Sequence, residues 1–362
     1  MEARGNMNNI ARIRKKLEEK QLDAILLFGE KNQRFATGFP ITDGAVLITE
    51  KTALLITDSR YVEAAEKAVD DVIEVRCHDN AHPLRERICE ALKEGAVASL
   101  GMEESLSHKM WEEYRMAADC ECLPAQEILT ELRASKTEEE IEYMICAQRI
   151  SEKALEEVLH IIRPGMTERE VMAELVYHML KNGSEGNSFD PIVVTGKNTS
   201  MPHGIPGDTI IQKGDFVTMD FGSLYHGYCS DMTRTVAVGS ATEEMKNIYE
   251  IVLQAQLAGI AVARAGIPGK EIDAAARKVI KDAGYGEYFG HGFGHSLGLD
   301  IHEMPVAGPR GEALMAVNDL CSAEPGIYIP GKYGVRIEDV MILREDGAEV
   351  ITKAPKKELI IL

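Results

Sequence analysis

FVTMDFGSLYHGYCSDMTRTVAV, residues 216–238, sets two aspartates at the ends of apolar, strand-like runs separated by a turn. Asp220 closes the run 216–219, and Asp231 precedes the run 233–238. A hairpin through Tyr225, His226 and Gly227 is expected to fold the chain back and bring Asp231 near Asp220. Two carboxylates at close range repel, and one rises in pKa unless a cation lies between them. A bound divalent ion resolves that conflict. Taken singly, either aspartate also suits an ordinary turn or cap position. Asp220-Phe221-Gly222 spells the metal motif of protein kinases, but no G-x-G-x-x-G loop or H-R-D triplet accompanies it, so that reading is set aside.

Two later stretches resemble the first in density of ligand-capable side chains. GHGFGHSLGLDIHEMP, residues 290–305, holds His291, His295 and His302, three of the ten histidines in the chain. Its glycines let the backbone turn sharply and pack closely. Val306 stands where an H-E-x-x-H helix needs its second histidine, so a zincin helix is excluded. The third stretch is EPGIY, residues 324–328, followed by GVRIED, residues 334–339. Glu324 and Glu338 sit in apolar, strand-like surroundings, where an unpartnered carboxylate is costly. Pairing with Arg336 alone would explain either glutamate. Together the stretches offer Asp220, Asp231, His295, Glu324 and Glu338 with little basic charge nearby. That set fits a dinuclear site with ions about 3.5–4 Å apart. Its oxygen-rich donors with one imidazole suit Mn, Fe, Co or Zn.

The surrounding chain is consistent with such a site. Its 362 residues suggest two domains at roughly 150 residues each. The net charge of -19 argues against a nucleic-acid partner, which needs a basic face. Cys77, Cys89, Cys120, Cys122, Cys146, Cys229 and Cys321 are odd in number and include no C-x-x-C pair. Reduced thiols in a cytoplasmic protein are the expectation. Residues 1–20 are polar, without a secretory signal pattern. No apolar run approaches the ~18 residues of a membrane span.

Short apolar runs alternate with amphipathic stretches over residues 1–132. Helices are expected at 10–20, 59–69, 83–93 and 109–118, and strands at 23–28, 45–49, 53–57, 72–76, 96–100 and 121–123. This alternation predicts an α/β domain. From residue 133 the order becomes helices, strands, helices, strands, which predicts an α+β domain, 133–362, with two similar halves. Thr137 with Glu140, and Thr167 with Glu170, form capping boxes for two helices. Ser240 with Glu243 is expected to open a third helix, and residues 271–283 form a fourth. Further strands are expected at 191–195, 216–221, 224–229, 233–238 and from 323 onwards.

These motifs, in this order, resemble the metallopeptidase family of methionine aminopeptidase, aminopeptidase P and prolidase. The resemblance rests on PHG at 202–204, the 220–235 segment, 290–305, and the EPGIY and GVRIED strands. It implies the pita-bread fold for the second domain. The first domain resembles the creatinase-like domain of the proline-specific members through RFATGF at 34–39, TDG at 42–44 and LITDSRY at 55–61. Methionine aminopeptidases lack that domain, and creatinase does not keep the five ligands that stand here.

The resemblance implies cleavage between an N-terminal residue and a following proline, with short peptides as substrates. It leaves open whether dipeptides or longer peptides are preferred. It also implies two divalent ions, manganese first, with cobalt, zinc or iron possible. Asp220 would bind one ion, His295 and Glu324 the other, and Asp231 and Glu338 both. Glu324 would act as general base. His203, His291 and His302 would contact substrate and stabilise the transition state. Arg336 would support Glu338, and Tyr328 with His291 would shape a shallow proline pocket. A homodimer is implied. The alternatives are a non-catalytic module of the same fold, against which the intact ligand set speaks, and a peptidase of the same fold without proline preference.

Overall fold

The computed structural model describes residues 9–362. Residues 1–8, part of the polar N-terminus considered above, lie outside the described residues. The chain divides into two compact units, one ending at Arg133 and the other spanning Ala134–Leu362.

In the first unit a six-stranded sheet has the order β4-β3-β2-β1-β5-β6. Its strands are β1 Ala24–Leu27, β2 Gly44–Thr49, β3 Ala53–Asp58, β4 Glu74–His78, β5 Ser99–Met102 and β6 Glu121–Pro124. The first two connections, β1 to β2 and β2 to β3, run antiparallel. β4, β5 and β6 join in parallel, through the crossover connections that parallel pairing requires. The helices are α1 Asn9–Lys20, α2 Glu30–Thr37, α3 Val62–Ala68, α4 Leu84–Glu94, α5 His108–Ala117 and α6 Gln126–Ala134. Strands β1, β2 and β3 are buried almost throughout, matching their continuous apolar sequence.

Two of these helices have no counterpart in the sequence reading. α2, EKNQRFAT, is largely polar, yet it buries Asn32, Gln33 and Phe35. The buried Glu103 carboxylate holds its entry by accepting from Phe28 N at 2.5 Å and Gly29 N at 2.9 Å. α6 occupies the segment that leads to the expected boundary.

In the second unit α7 Glu138–Leu159 and α8 Glu168–Lys181 pack on a three-stranded sheet. That sheet, of order β11-β8-β7, is made of β7 Ile192–Thr195, β8 Phe216–Phe221 and β11 Met232–Ala237. Both capping boxes form, on Thr137 with Glu140 and on Thr167 with Glu170. Between β8 and β11, β9 Leu224–Tyr225 and β10 Tyr228–Cys229 make the expected hairpin.

A second helix pair, α9 Glu243–Val262 and α10 Gly269–Asp282, covers the other half of the unit. α9 is capped by Thr242, whose hydroxyl accepts from Met245 N, and not by the expected Ser240. The cap falls two residues later because Thr242 is the residue immediately preceding the helix. Beneath this pair lies a sheet of order β13-β12-β14-β17-β18. It comprises β12 Gly294–Ser296, β13 Glu303–Ala307, β14 Leu320–Ala323, β17 Asp339–Leu343 and β18 Ala348–Val350. The hairpin of β15 Gly326–Ile329 and β16 Tyr333–Arg336 completes the unit. Two helix pairs, each on its own sheet and core, give the two-half α+β arrangement expected from the element order.

Candidate metal centre

Each candidate ligand stands on a strand or within two residues of one. Asp220 lies on β8, opposite Thr233 of β11 and Ile192 of β7. Cross-strand partners share a face, so Asp220 and Thr233 project to the same side. Gly222 permits the return to Asp231, because a Cβ there would lie 1.9 Å from Ser230 O. From the other half, His295 sits on β12, Glu324 directly follows β14, and Glu338 joins β16 to β17. Gln256 of α9 spans the last two segments, donating to Ala323 O at 2.9 Å and Ile337 O at 3.2 Å.

The donor atoms converge. One ligand atom each of Asp231, His295 and Glu338 lie within 4.8 Å of one another. His295 Nε2 is 3.6 Å from Asp231 Oδ2 and 3.4 Å from Glu324 Oε1. Ser322 Oγ donates to Glu324 Oε1 at 3.2 Å and accepts from His295 N at 3.0 Å. Asp220 enters through Arg336, whose Nη2 donates to Asp220 Oδ2 at 2.6 Å. All five line one cavity of about 720 Å³, together with His203, His291 and His302.

The structure gives the partners of Arg336 and Tyr328 in detail. Arg336 does not bind Glu338 directly. Its Nε donates to Thr233 Oγ1 at 3.0 Å, and Thr233 Oγ1 donates to Glu338 Oε2 at 2.6 Å. Asp220, on the same face as Thr233, takes the guanidinium directly. Tyr328 does not line the cavity. It is 7 % exposed, and its hydroxyl accepts from Arg336 Nη1 at 2.9 Å while lying 2.8 Å from His291 Nε2. Its hydroxyl is turned to those two groups, His291 Nε2 and Arg336.

The chain matches the model of metallopeptidase family M24 over residues 142–345, and the creatinase/prolidase N-terminal domain over residues 9–135. The chain belongs to the M24 metallopeptidase family. It is 44% identical to a solved structure titled Xaa-Pro dipeptidase from Bacillus anthracis, with a TM-score of 0.93 and 98% of this chain and 99% of that one covered. An X-Pro aminopeptidase structure from Thermotoga maritima is 35% identical, with a TM-score of 0.91, covering 96% of this chain and 100% of that one. A Pyrococcus horikoshii protein named Xaa-Pro dipeptidase is 37% identical, over 95% of this chain and 96% of its own length.

The electrostatics of this M24 peptidase fit a cation pair. Burial first, and then Asp220 and Glu324, push the Asp231 carboxyl far above its ordinary range. Burial, and then Asp231, Glu324 and Asp220, do the same to Glu338. Burial raises Glu324 to about 7, with Arg336 opposing and Asp220 adding to the rise. Asp220 Oδ1 is buried without a hydrogen-bond partner. A like-charged cluster with an orphaned oxygen is what divalent ions neutralise. Burial, and then Arg336, lower His291 to about 4. Burial lowers His295 too, and neutral imidazole is the form that ligates.

The M24 cavity also contains a group that the sequence reading passed over. Arg310 lines it, is exposed, and has no ion-pair partner among the described residues. Gly308-Pro309-Arg310-Gly311 reads as a surface turn, so nothing local in the sequence marks the guanidinium.

Proposed function

We propose that this M24 peptidase hydrolyses the bond between an N-terminal residue and a following proline, and that free dipeptides are its preferred substrates. The names of the relatives support the Xaa-Pro bond. The observation that carries the dipeptide preference is Arg310, a guanidinium without a carboxylate partner in the same cavity as the ligand cluster. A dipeptide places its own carboxylate on the proline that follows the scissile bond, which a guanidinium binds well.

In this scheme Asp220 would help hold one divalent ion, His295 and Glu324 the other, and Asp231 and Glu338 would contribute to both. When bound, the ions supply a water of lowered pKa and polarise the scissile carbonyl. Glu324 accepts the proton of the attacking water and delivers it to the departing proline nitrogen. His203 and His302 face the cavity and hydrogen-bond the carbonyl oxygen as its charge grows. His291, fixed by Tyr328 and by Gly292 O at 2.8 Å, packs against the proline ring. Manganese is the proposed metal, because the donor set is rich in oxygen with one imidazole.

The proposal divides the chain into a creatinase-like domain, 1–132, and a catalytic domain, 133–362. It also places the enzyme in the cytoplasm as a homodimer. The seven unpaired thiols suit a reducing compartment. No helix among the described residues is long and apolar enough to cross a membrane.

The test compares Ala-Pro with Ala-Pro-amide and Ala-Pro-Gly-Gly. Arg310→Gln should lower kcat/KM for Ala-Pro by about tenfold or more, mainly through KM, and leave the amide nearly unchanged. Equal effects on both would remove the dipeptide preference. Absence of any Xaa-Pro cleavage by metal-loaded wild type would favour the non-catalytic module.

A further inference from the structure

The loop 297–302 carries His302 into the cavity, and it is held at both ends. At the first end Cys229 N donates to Gly298 O at 2.7 Å, and Gly298 N donates to Asp300 O at 2.9 Å. At the second end stands Glu303, the residue after His302. Its Oε1 accepts from Asp300 N at 3.2 Å, which closes the turn around His302. Its Oε2 lies 3.0 Å from Lys136 Nζ. The resulting position puts the His302 ring 4.4 Å from the ring of His295.

Lys136 is itself built in. Its side chain is 1% exposed and that of Glu303 8%. Lys136 Nζ also donates to Ala134 O at 3.0 Å. Its backbone N–H donates to Asn318 O at 3.1 Å, and Asn318 Nδ2 donates back to Lys136 O at 3.1 Å. Taking an ammonium and a carboxylate out of water costs several kcal/mol per ion, and apolar replacements of similar volume often do as well for stability. What an apolar pair could not do is hold the Glu303 carboxylate on Asp300 N.

We propose that Lys136 and Glu303 are a positioning pair for His302. Neither touches substrate. Lys136 fixes the Glu303 carboxylate, the carboxylate fixes the turn at Asp300, and the turn aims the His302 imidazole at the scissile carbonyl. This inference rests on the role given to His302 above.

The experiment is a double-mutant cycle on the manganese-loaded enzyme with Ala-Pro as substrate. Lys136→Met and Glu303→Gln should each lower kcat by about tenfold or more, with KM and metal stoichiometry close to wild type. In the His302→Ala background, itself strongly impaired in kcat, Lys136→Met should change kcat less than about twofold, because the group it positions is gone. A purely structural role predicts the same fold-loss in both backgrounds, and that result would overturn the proposal. So would a kcat within about twofold of wild type for both single variants. Should Lys136→Met fail to fold, Lys136→Met/Glu303→Leu removes both charges, and its kcat should be as low as that of Glu303→Gln. If His302→Ala keeps full kcat, the role of His302 in the proposed function fails separately from the pairing.

Discussion

At the scale of single residues, Asp220, Glu324 and Glu338 are readable as proposed ligands because each is a carboxylate next to apolar, strand-like runs, and His295 because it lies in a stretch dense in histidine and glycine. Asp220 after Val217 and Met219, and Glu338 after Val335 and Ile337, are costly without a cation. The partners of the neutral and cationic residues were harder to read. Arg336 could pair with either nearby glutamate on sequence grounds. The register sets Thr233 opposite Asp220, and the side-chain hydrogen bonds show that Asp220 takes the guanidinium and Glu338 the threonine hydroxyl. Arg310, Lys136 and Gln256 leave no local mark in the sequence, because the partners of Lys136 and Gln256 lie far away in the chain and Arg310 has no ion-pair partner among the described residues. Glu324→Gln tests the residue that the mechanism depends on most. It keeps size and hydrogen-bonding capacity but cannot accept a proton. Turnover of Ala-Pro should fall by about 10²–10⁴-fold, with circular dichroism unchanged. Residual activity within a few-fold of wild type would exclude Glu324 as the base.

Among the elements, the capping boxes of α7 and α8 and the hairpin after β8 follow from short local signals, which explains their agreement with the sequence reading. α2 was missed because its core contacts are made by Asn32, Gln33 and Phe35 within a polar segment, held by the distant Glu103. The capping box of α7 gives a simple stability test. Thr137→Ala removes the hydroxyl that accepts from Glu140 N and should cost about 1 kcal/mol in urea unfolding. An unchanged midpoint would mean that the box adds nothing there. Gly222 tests the hairpin that brings Asp231 to Asp220. A methyl group at that position meets Ser230 O at 1.9 Å and Ser188 Oγ at 2.1 Å. Gly222→Ala should therefore destabilise the protein by about 1–3 kcal/mol and weaken manganese binding in calorimetry. Wild-type affinity in that variant would show that the close approach is not required.

On the scale of the whole molecule, the two halves of the second unit each supply part of one carboxylate cluster, and the cluster sets a pH dependence. Without metal, the Glu324 carboxyl titrates at about 7 in the folded protein against roughly 4.3 when unfolded. Its pKa is raised on folding, so its stabilising contribution is fully present below about 4 and is lost as pH rises through about 7. Asp231 and Glu338 are raised as well and act in the same direction. Metal binding displaces these protons, so its affinity strengthens as pH rises. Differential scanning calorimetry should show the metal-free protein losing stability between pH 5 and 8, and added manganese raising Tm more at pH 8 than at pH 5. An equal metal-induced shift at both pH values would contradict the raised carboxyls.

The most direct test of a dinuclear peptidase centre is titration of the metal-free protein with manganese while Ala-Pro cleavage is followed. Activity should be absent at the start and saturate at two equivalents of bound ion per chain, and His295→Ala should lower the bound stoichiometry. Saturation with a single ion, or cleavage that persists in the metal-free protein, would contradict the account.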